Sequence, residues 1–303
     1  MEHNQLISFT FFLDMLGFGN KVGHISDQEK AEKFVQFMEE NKKIFSQWLQ
    51  TNETKIHSLA LIREYYDFKY AFISDSIVLT FTPKKLSKPL SEKIYYSESA
   101  NLFYLMAKRT VNLLTKLLST HKILLRGGIS TKYTYIQNEF VVGEGLIEAY
   151  KLESIYAINP RIILSKELSD NSQFMDALKV ISNKVYNATR LIKCDDDGYF
   201  YLNYLGFQVA QECINSDMEQ KTIKQFGKQL YENKRKELLE TNALLFELHK
   251  QAIEDMFTFL RAKKNTHDFD RIKMKYDWIK NYHNSFMTKD RKVFFINLNS
   301  DNV

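Results

Sequence analysis

The run Leu6-Ile7-Ser8-Phe9-Thr10-Phe11-Phe12-Leu13 is apolar and rich in β-formers, and it predicts a buried first strand. A glycine-bearing turn, Asp14-Met15-Leu16-Gly17-Phe18-Gly19, follows it. Ser26-Asp27-Gln28-Glu29 matches a capping box and opens a helix with Phe34, Phe37, Met38, Ile44, Phe45 and Trp48 on its apolar face. Two β-rich runs, 65–73 and 76–82, flank Ser74-Asp75 and predict a hairpin. Residues 83–93 hold two of the three prolines and predict a loop. A helix from about Glu98 to Thr120 sets Leu102, Leu105, Met106, Leu113 and Leu117 at helical spacing. Strands are predicted over Ile123–Ile129, Tyr133–Ile136 and Phe140–Val142, then a helix from Gly143 to about Tyr156 and a short strand, Arg161–Leu164, after Pro160.

The opening β-α-β-β-α-β order is the ferredoxin-like pattern, an antiparallel sheet with helices packed on one face. Asp195-Asp196-Asp197-Gly198 predicts a turn before a strand over Tyr199–Leu205. From about Gln208 to Phe286 the pattern is helical. One stripe carries Leu238, Leu245, Ile253, Met256 and Leu260, and another carries Phe269, Ile272, Tyr276, Ile279, Tyr282 and Phe286. The expected fold class is therefore α+β, with a core over residues 1–205 and a helical C-terminal extension over 206–303.

Composition narrows the function classes. The chain has 303 residues, 44% of them hydrophobic and 26% charged, so a sizeable core is available and disorder is excluded. The formal charge of +5 is mild, and the basic pairs (Lys84-Lys85, Lys263-Lys264 and others) are scattered. They read as solvated faces, not as a nucleic-acid stripe. Cys194 and Cys213 are the two cysteines and form no disulfide framework. The N-terminus lacks a basic n-region, and the apolar run to Phe18 is broken by Asp14 and too short to span a bilayer. A cytoplasmic protein with no membrane partner is the expectation. The histidines lack metal-ligand spacing, and Gly17-Phe18-Gly19 lacks the third glycine of a dinucleotide fingerprint.

Asp14 and Asp75 carry the most information, because each interrupts a strongly apolar β context. A carboxylate there costs desolvation unless it is paired, hydrogen-bonded or metal-bound. Either residue alone suits an ordinary turn. In a ferredoxin-like sheet, however, the first strand lies beside the hairpin, so the two carboxylates can converge at one sheet end. Such a pair seats hard divalent cations, with substrate phosphates as further ligands. The turn after Asp14 offers backbone N–H groups to a polyphosphate.

Four stretches resemble the class III nucleotidyl cyclases. Phe11-Phe12-Leu13-Asp14-Met15-Leu16-Gly17-Phe18 is similar to their first metal-binding strand, and Phe72-Ile73-Ser74-Asp75-Ser76-Ile77-Val78 to their second metal-binding hairpin. Leu125-Arg126-Gly127-Gly128-Ile129-Ser130 and the segment from Val142 to Ser154 resemble their later strand pair and following helix. Asn159-Pro160-Arg161-Ile162, the Asp195–Gly198 turn and Lys275–Asn284 resemble the bacterial pyrimidine cyclases of the Pycsar anti-phage systems. The resemblance implies conversion of UTP, or CTP, to the 3′,5′-cyclic monophosphate, which activates a downstream effector. It implies two Mn²⁺ or Mg²⁺ ions held by Asp14, Asp75 and the Met15 carbonyl, and a homodimer with sites at the interface.

The other carried-over roles are less complete. The family's transition-state arginine aligns with Lys151, which keeps the charge but loses the bidentate fork. Its ribose-orienting asparagine aligns with Ile147, which cannot hydrogen-bond. Arg126 is a second candidate cation, for a bound anion or for a salt bridge to a surface carboxylate. Tyr70 is a candidate base contact, or simply a strand aromatic, and Gly17 and Phe18 join it as candidate nucleotide-binding residues. A cyclase-fold nucleotide binder without turnover is the alternative. The C-terminal helices either clamp the dimer, sense a signal or serve as core packing.

Overall fold

The computed structural model describes residues 2–16, 25–50, 62–121, 123–138, 140–185, 191–212, 216–262 and 269–298. The glycine-bearing turn over 17–19 and Cys213 lie outside these residues. In chain order the first elements are β1 (Glu2–His3), β2 (Phe9–Met15), α1 (Gln28–Gln50), β3 (Tyr66–Ile73), β4 (Ser76–Pro83), β5 (Leu90–Ser91) and α2 (Glu92–His121). Next come β6 (Leu125–Ser130), β7 (Tyr135–Gln137), β8 (Phe140–Val142), α3 (Glu144–Lys151), β9 (Ile162–Leu164), α4 (Lys166–Ser169) and α5 (Ser172–Val180). The chain then runs through β10 (Ile192–Cys194), β11 (Phe200–Leu202), α6 (Tyr204–Glu212), α7 (Ser216–Phe226), α8 (Lys228–Ala262) and α9 (Phe269–Asn284).

The main sheet has the order β10-β11-β9-β6-β2-β4-β3. Its β6-β2-β4-β3 part is antiparallel throughout and has the ferredoxin-like order. The fold class is α+β, as the pattern predicts. β9 extends the sheet by pairing parallel to β6.

Adjacent residues of β2 point to opposite faces. Phe9, Phe11, Leu13 and Met15 enter the large core, where Phe9 and Phe11 meet Phe103 of α2. Phe12 turns the other way, into a small cluster with Val78, Ile136 and Ala149. Helices therefore cover both faces, and the expectation of one helical face is corrected. The cause lies in β6. A methyl at Gly128 would overlap the Ala149 carbonyl oxygen and Leu152 Cβ, so only glycine lets α3 settle on this face.

Several boundaries also differ from the sequence expectation. β2 starts at Phe9 and continues past Asp14, because Asp14 still pairs with Ser76 and Arg126. The cap of α1 is Asp27, whose Oδ1 accepts the Lys30 N–H at 3.0 Å, in place of Ser26. α2 begins at Glu92, directly after β5 pairs with β1. α3 ends at Lys151 and widens into a π-turn over Leu152–Tyr156. Helix resumes at Tyr204, where Leu205, Phe207 and Val209 join the core.

That core is continuous from β2 to the C-terminal helices, where it takes in Phe246, Ile253, Leu260, Ile279 and Tyr282. Arg161, buried just before β9, pairs with Asp195 and Asp197 and lies over the Tyr201 and Trp278 rings. Trp278 of α9 donates its indole N–H to Asp195 at 2.9 Å, which ties α9 to the sheet. Among the described residues no helix is long and apolar enough to cross a membrane.

Candidate active site

Asp14 is the penultimate residue of β2, and the ladder sets it between Ser76 of β4 and Arg126 of β6. Directly opposed residues project from the same face, here the one α3 covers. The Ser76 hydroxyl donates to Asp14 Oδ1 at 3.5 Å, and Arg126 Nη2 lies 3.4 Å from Asp14 Oδ2. Arg126 also pairs with Glu153 from the π-turn. The sequence left Arg126 between an anion site and a surface salt bridge; its partners are Asp14 itself and a buried carboxylate.

Asp75 arrives from the hairpin turn. Ser74 takes a positive φ of 57°, which a tight turn demands of it. The Asp75 carbonyl then accepts the Met15 N–H at 3.1 Å, tying the turn to the end of β2. The structure thus brings Asp14, Met15 and Asp75 together at one end of the sheet.

The electrostatics follow from this geometry. Burial raises the Asp14 carboxyl above the usual carboxylate range, Arg126 pulls it back, and the neighbouring Asp75 charge raises it again. Glu153 is also raised, first by burial, with Arg126 opposing. Lys275 of α9 is lowered, mainly by burial and then by Arg126 and Arg271, while Glu153 and Asp14 act in the opposite sense. A helix from the C-terminal region therefore shares the field of Asp14.

Two carboxylates that repel each other beside a main-chain turn are a hard-oxygen donor set, the chemistry that Mg²⁺ and Mn²⁺ prefer. Among the described residues no cluster of three or more His, Cys, Asp or Glu is arranged around a common metal position. A cation held by Asp14 and Asp75 would complete its shell with substrate phosphate and water.

The remaining candidates stand apart from this pair. Lys151 is exposed in the last turn of α3, one turn after the exposed Ile147. The charges that shift the Asp14 carboxyl are those of Arg126 and Asp75. Tyr70 packs with Phe68 and Phe72 against the large core, whereas Ala71 joins the Phe12 cluster. Tyr70 therefore projects from the sheet face opposite Asp14. It lines a cavity of about 410 Å³ with Val35, Met38, Glu39 and Asn138. Gly17 and Phe18 lie outside the described residues. Sequence reasoning assigned no role to Ser76, Glu153 or Lys275. Glu153 had one usable signal, a carboxylate following the buried positions Gly145, Ala149 and Leu152.

No family model matches the chain, and no curated protein matches it. Among solved structures, the adenylyl cyclase CyaB from P. aeruginosa is similar over 67% of this chain and 95% of its own, at 15% identity and a TM-score of 0.34. The guanylyl cyclase Cya2 is similar over 67% of this chain and 93% of its own, at 13% identity and a TM-score of 0.31.

Proposed function

We propose that the chain is a divalent-cation-dependent nucleotide cyclase acting on a pyrimidine triphosphate, UTP before CTP. The observation that carries this reading is the meeting of Asp14 and Asp75 at the end of β2, tied by the Met15 to Asp75 hydrogen bond. The ribose 3′-oxygen attacks the α-phosphorus, its proton passes to solvent, and pyrophosphate leaves with the electrons of the broken bond. Divalent cations, when bound there, would lower the pKa of the 3′-hydroxyl and neutralise triphosphate charge. Asp14 and Asp75, with the Met15 carbonyl, are the residues that would hold them. Arg126, opposite Asp14 on the neighbouring strand, would add positive charge beside the triphosphate. By the motif resemblance, the cyclic product would signal to an effector in phage defence.

We further propose that a homodimer completes the site, with Lys151 of one protomer serving the Asp14 centre of its partner. Tyr133, Tyr135, Phe140, Val142, Ile147 and Tyr150 are large hydrophobic side chains exposed on or beside β7, β8 and α3, and an interface between copies would cover them. Tyr70, facing away from Asp14 of its own chain, remains the proposed base contact. A nucleotide binder without turnover is the second reading. The Asp14–Arg126 pair and the apolar Ile147 favour it.

Incubation of the purified protein with each of the four NTPs and Mn²⁺ tests both readings. Cyclic UMP or cyclic CMP supports the cyclase, and tight binding without product supports the second reading. Mixing Asp75→Ala with Lys151→Ala protein tests the shared site. Each variant alone is expected to be inactive, and an equimolar mixture to regain about a quarter of wild-type turnover, because about half of its dimers are mixed and each of those has one of two sites intact. No recovery on mixing removes Lys151 from the partner's site.

A further inference from the structure

Arg126 stands directly opposite Asp14, so strand pairing alone would close the guanidinium onto that carboxylate. Yet its Nη2 stays 3.4 Å from Asp14, longer than a tight charge-assisted bond. The nearer partner is Glu153, which is almost fully buried. Its side chain is 4% exposed, against 19% for Asp14. The fold puts it there by a traceable route. Gly128 admits Leu152 against β6, and Arg126 and Gly128 share that strand's face. Glu153, next after Leu152 in the π-turn, is therefore set down on Arg126. π-turns inside helices are frequent at functional sites.

We infer that Glu153 is a positioning residue that holds the Arg126 guanidinium back from Asp14 and so keeps Asp14 open to a divalent cation. The inference rests on the proposed role of Asp14 as a cation ligand. Asp14 and Glu153 share the Arg126 guanidinium, and the more deeply buried Glu153 lies nearer to it. Without the Glu153 charge, Asp14 is the remaining ion-pair partner of Arg126 among the described residues, and closing onto Asp14 places a guanidinium where the cation would bind. Glu153 itself touches neither nucleotide nor cation.

The test is Mn²⁺ binding to the full-length apoprotein, read by electron paramagnetic resonance without nucleotide. Glu153→Gln keeps the shape and removes the charge, and it is expected to weaken Mn²⁺ binding about 10-fold or more. The double variant Arg126→Gln/Glu153→Gln removes the competing guanidinium as well and is expected to bind within about threefold of wild type. A merely structural Glu153 would give no such rescue. Wild-type affinity in Glu153→Gln overturns the inference, as does a double variant no tighter than Glu153→Gln. If wild-type protein itself binds no Mn²⁺, the cation-ligand reading of Asp14 and Asp75 falls, an outcome distinct from an intact wild-type site that is indifferent to Glu153.

Discussion

Asp14 and Asp75 reach the same end of the sheet by different means, and their substitutions should separate chemistry from folding. Asp14 sits in a ladder whose backbone pairs do not need its side chain. Arg126 keeps Glu153 if Asp14 is lost, so no buried cation is stranded. The Asp75 side chain lies at a turn, where its backbone carbonyl, not its carboxylate, makes the tie to Met15. Asp14→Ala and Asp75→Ala are each expected to lower turnover at least about 100-fold while leaving the circular-dichroism spectrum and melting cooperativity unchanged. Near-wild-type turnover in either variant would remove that residue from the site. Both aspartates stood out in the sequence because a carboxylate that interrupts an apolar β context, in a strand for Asp14 and at a hairpin turn for Asp75, has few physical explanations. Glu153 was less so, because its burial comes from the contact of α3 with β6. Lys275 was invisible as a neighbour of Asp14, since the contact of α9 with the site is a product of tertiary packing.

Among the elements, the seat of α3 on β6 controls the most. It forms one wall of the Phe12 cluster, carries Ile147 and Lys151 outward, and delivers Glu153 to Arg126. The contact has no slack at Gly128, where added atoms meet backbone and Leu152 Cβ, neither of which can rotate away. Gly128→Ala is expected to destabilise the protein by about 1–3 kcal/mol, measured by urea unfolding, and to loosen Mn²⁺ binding through displaced Glu153. An unchanged unfolding midpoint would show that α3 can shift freely. The hairpin around Ser74-Asp75 was readable to within a residue because its register is local. The strand order followed from the element order and the ferredoxin-like rule. The position of α3 on the opposite face, the β1–β5 pair and the early start of α2 were not readable. Each depends on partners distant in sequence, which no local periodicity reports.

At the scale of the whole molecule, the C-terminal helices share the main core and carry a polar chain at their junction. Tyr204 of α6, His249 of α8 and His283 of α9 are all buried. The Tyr204 hydroxyl meets His249 Nε2, the two Nδ1 atoms lie 2.9 Å apart, and His283 Nε2 lies 2.9 Å from the Phe294 carbonyl oxygen. A carbonyl only accepts, so His283 Nε2 carries a proton. Neutral His283 then accepts at Nδ1, His249 donates from Nδ1, and its Nε2 accepts the tyrosine hydroxyl proton. Every group is satisfied with both rings neutral. Burial pushes both histidines below their ordinary value, His249 well below it, and Lys250 pushes His283 down further while the Phe294 carbonyl and Glu247 oppose. Unfolded histidine takes up its proton as pH falls through about 6.5, while the folded pair resists. The unfolded state then binds more protons, and folding stability falls with pH by up to about 1.4 kcal/mol per unit for each histidine. Above that range both states are neutral and the pair adds no pH dependence. Wild type should therefore lose urea resistance between about pH 7 and about pH 5. His249→Gln/His283→Gln protein, less stable at neutral pH, should show a flatter profile over the same range. Parallel profiles would mean that the acid-sensitive contact lies elsewhere. A steeper wild-type profile, accompanied by loss of Trp278 fluorescence contrast at the lowest pH, would locate the first opening at the packing of α6, α8 and α9, the contact that also sets Lys275 beside Asp14.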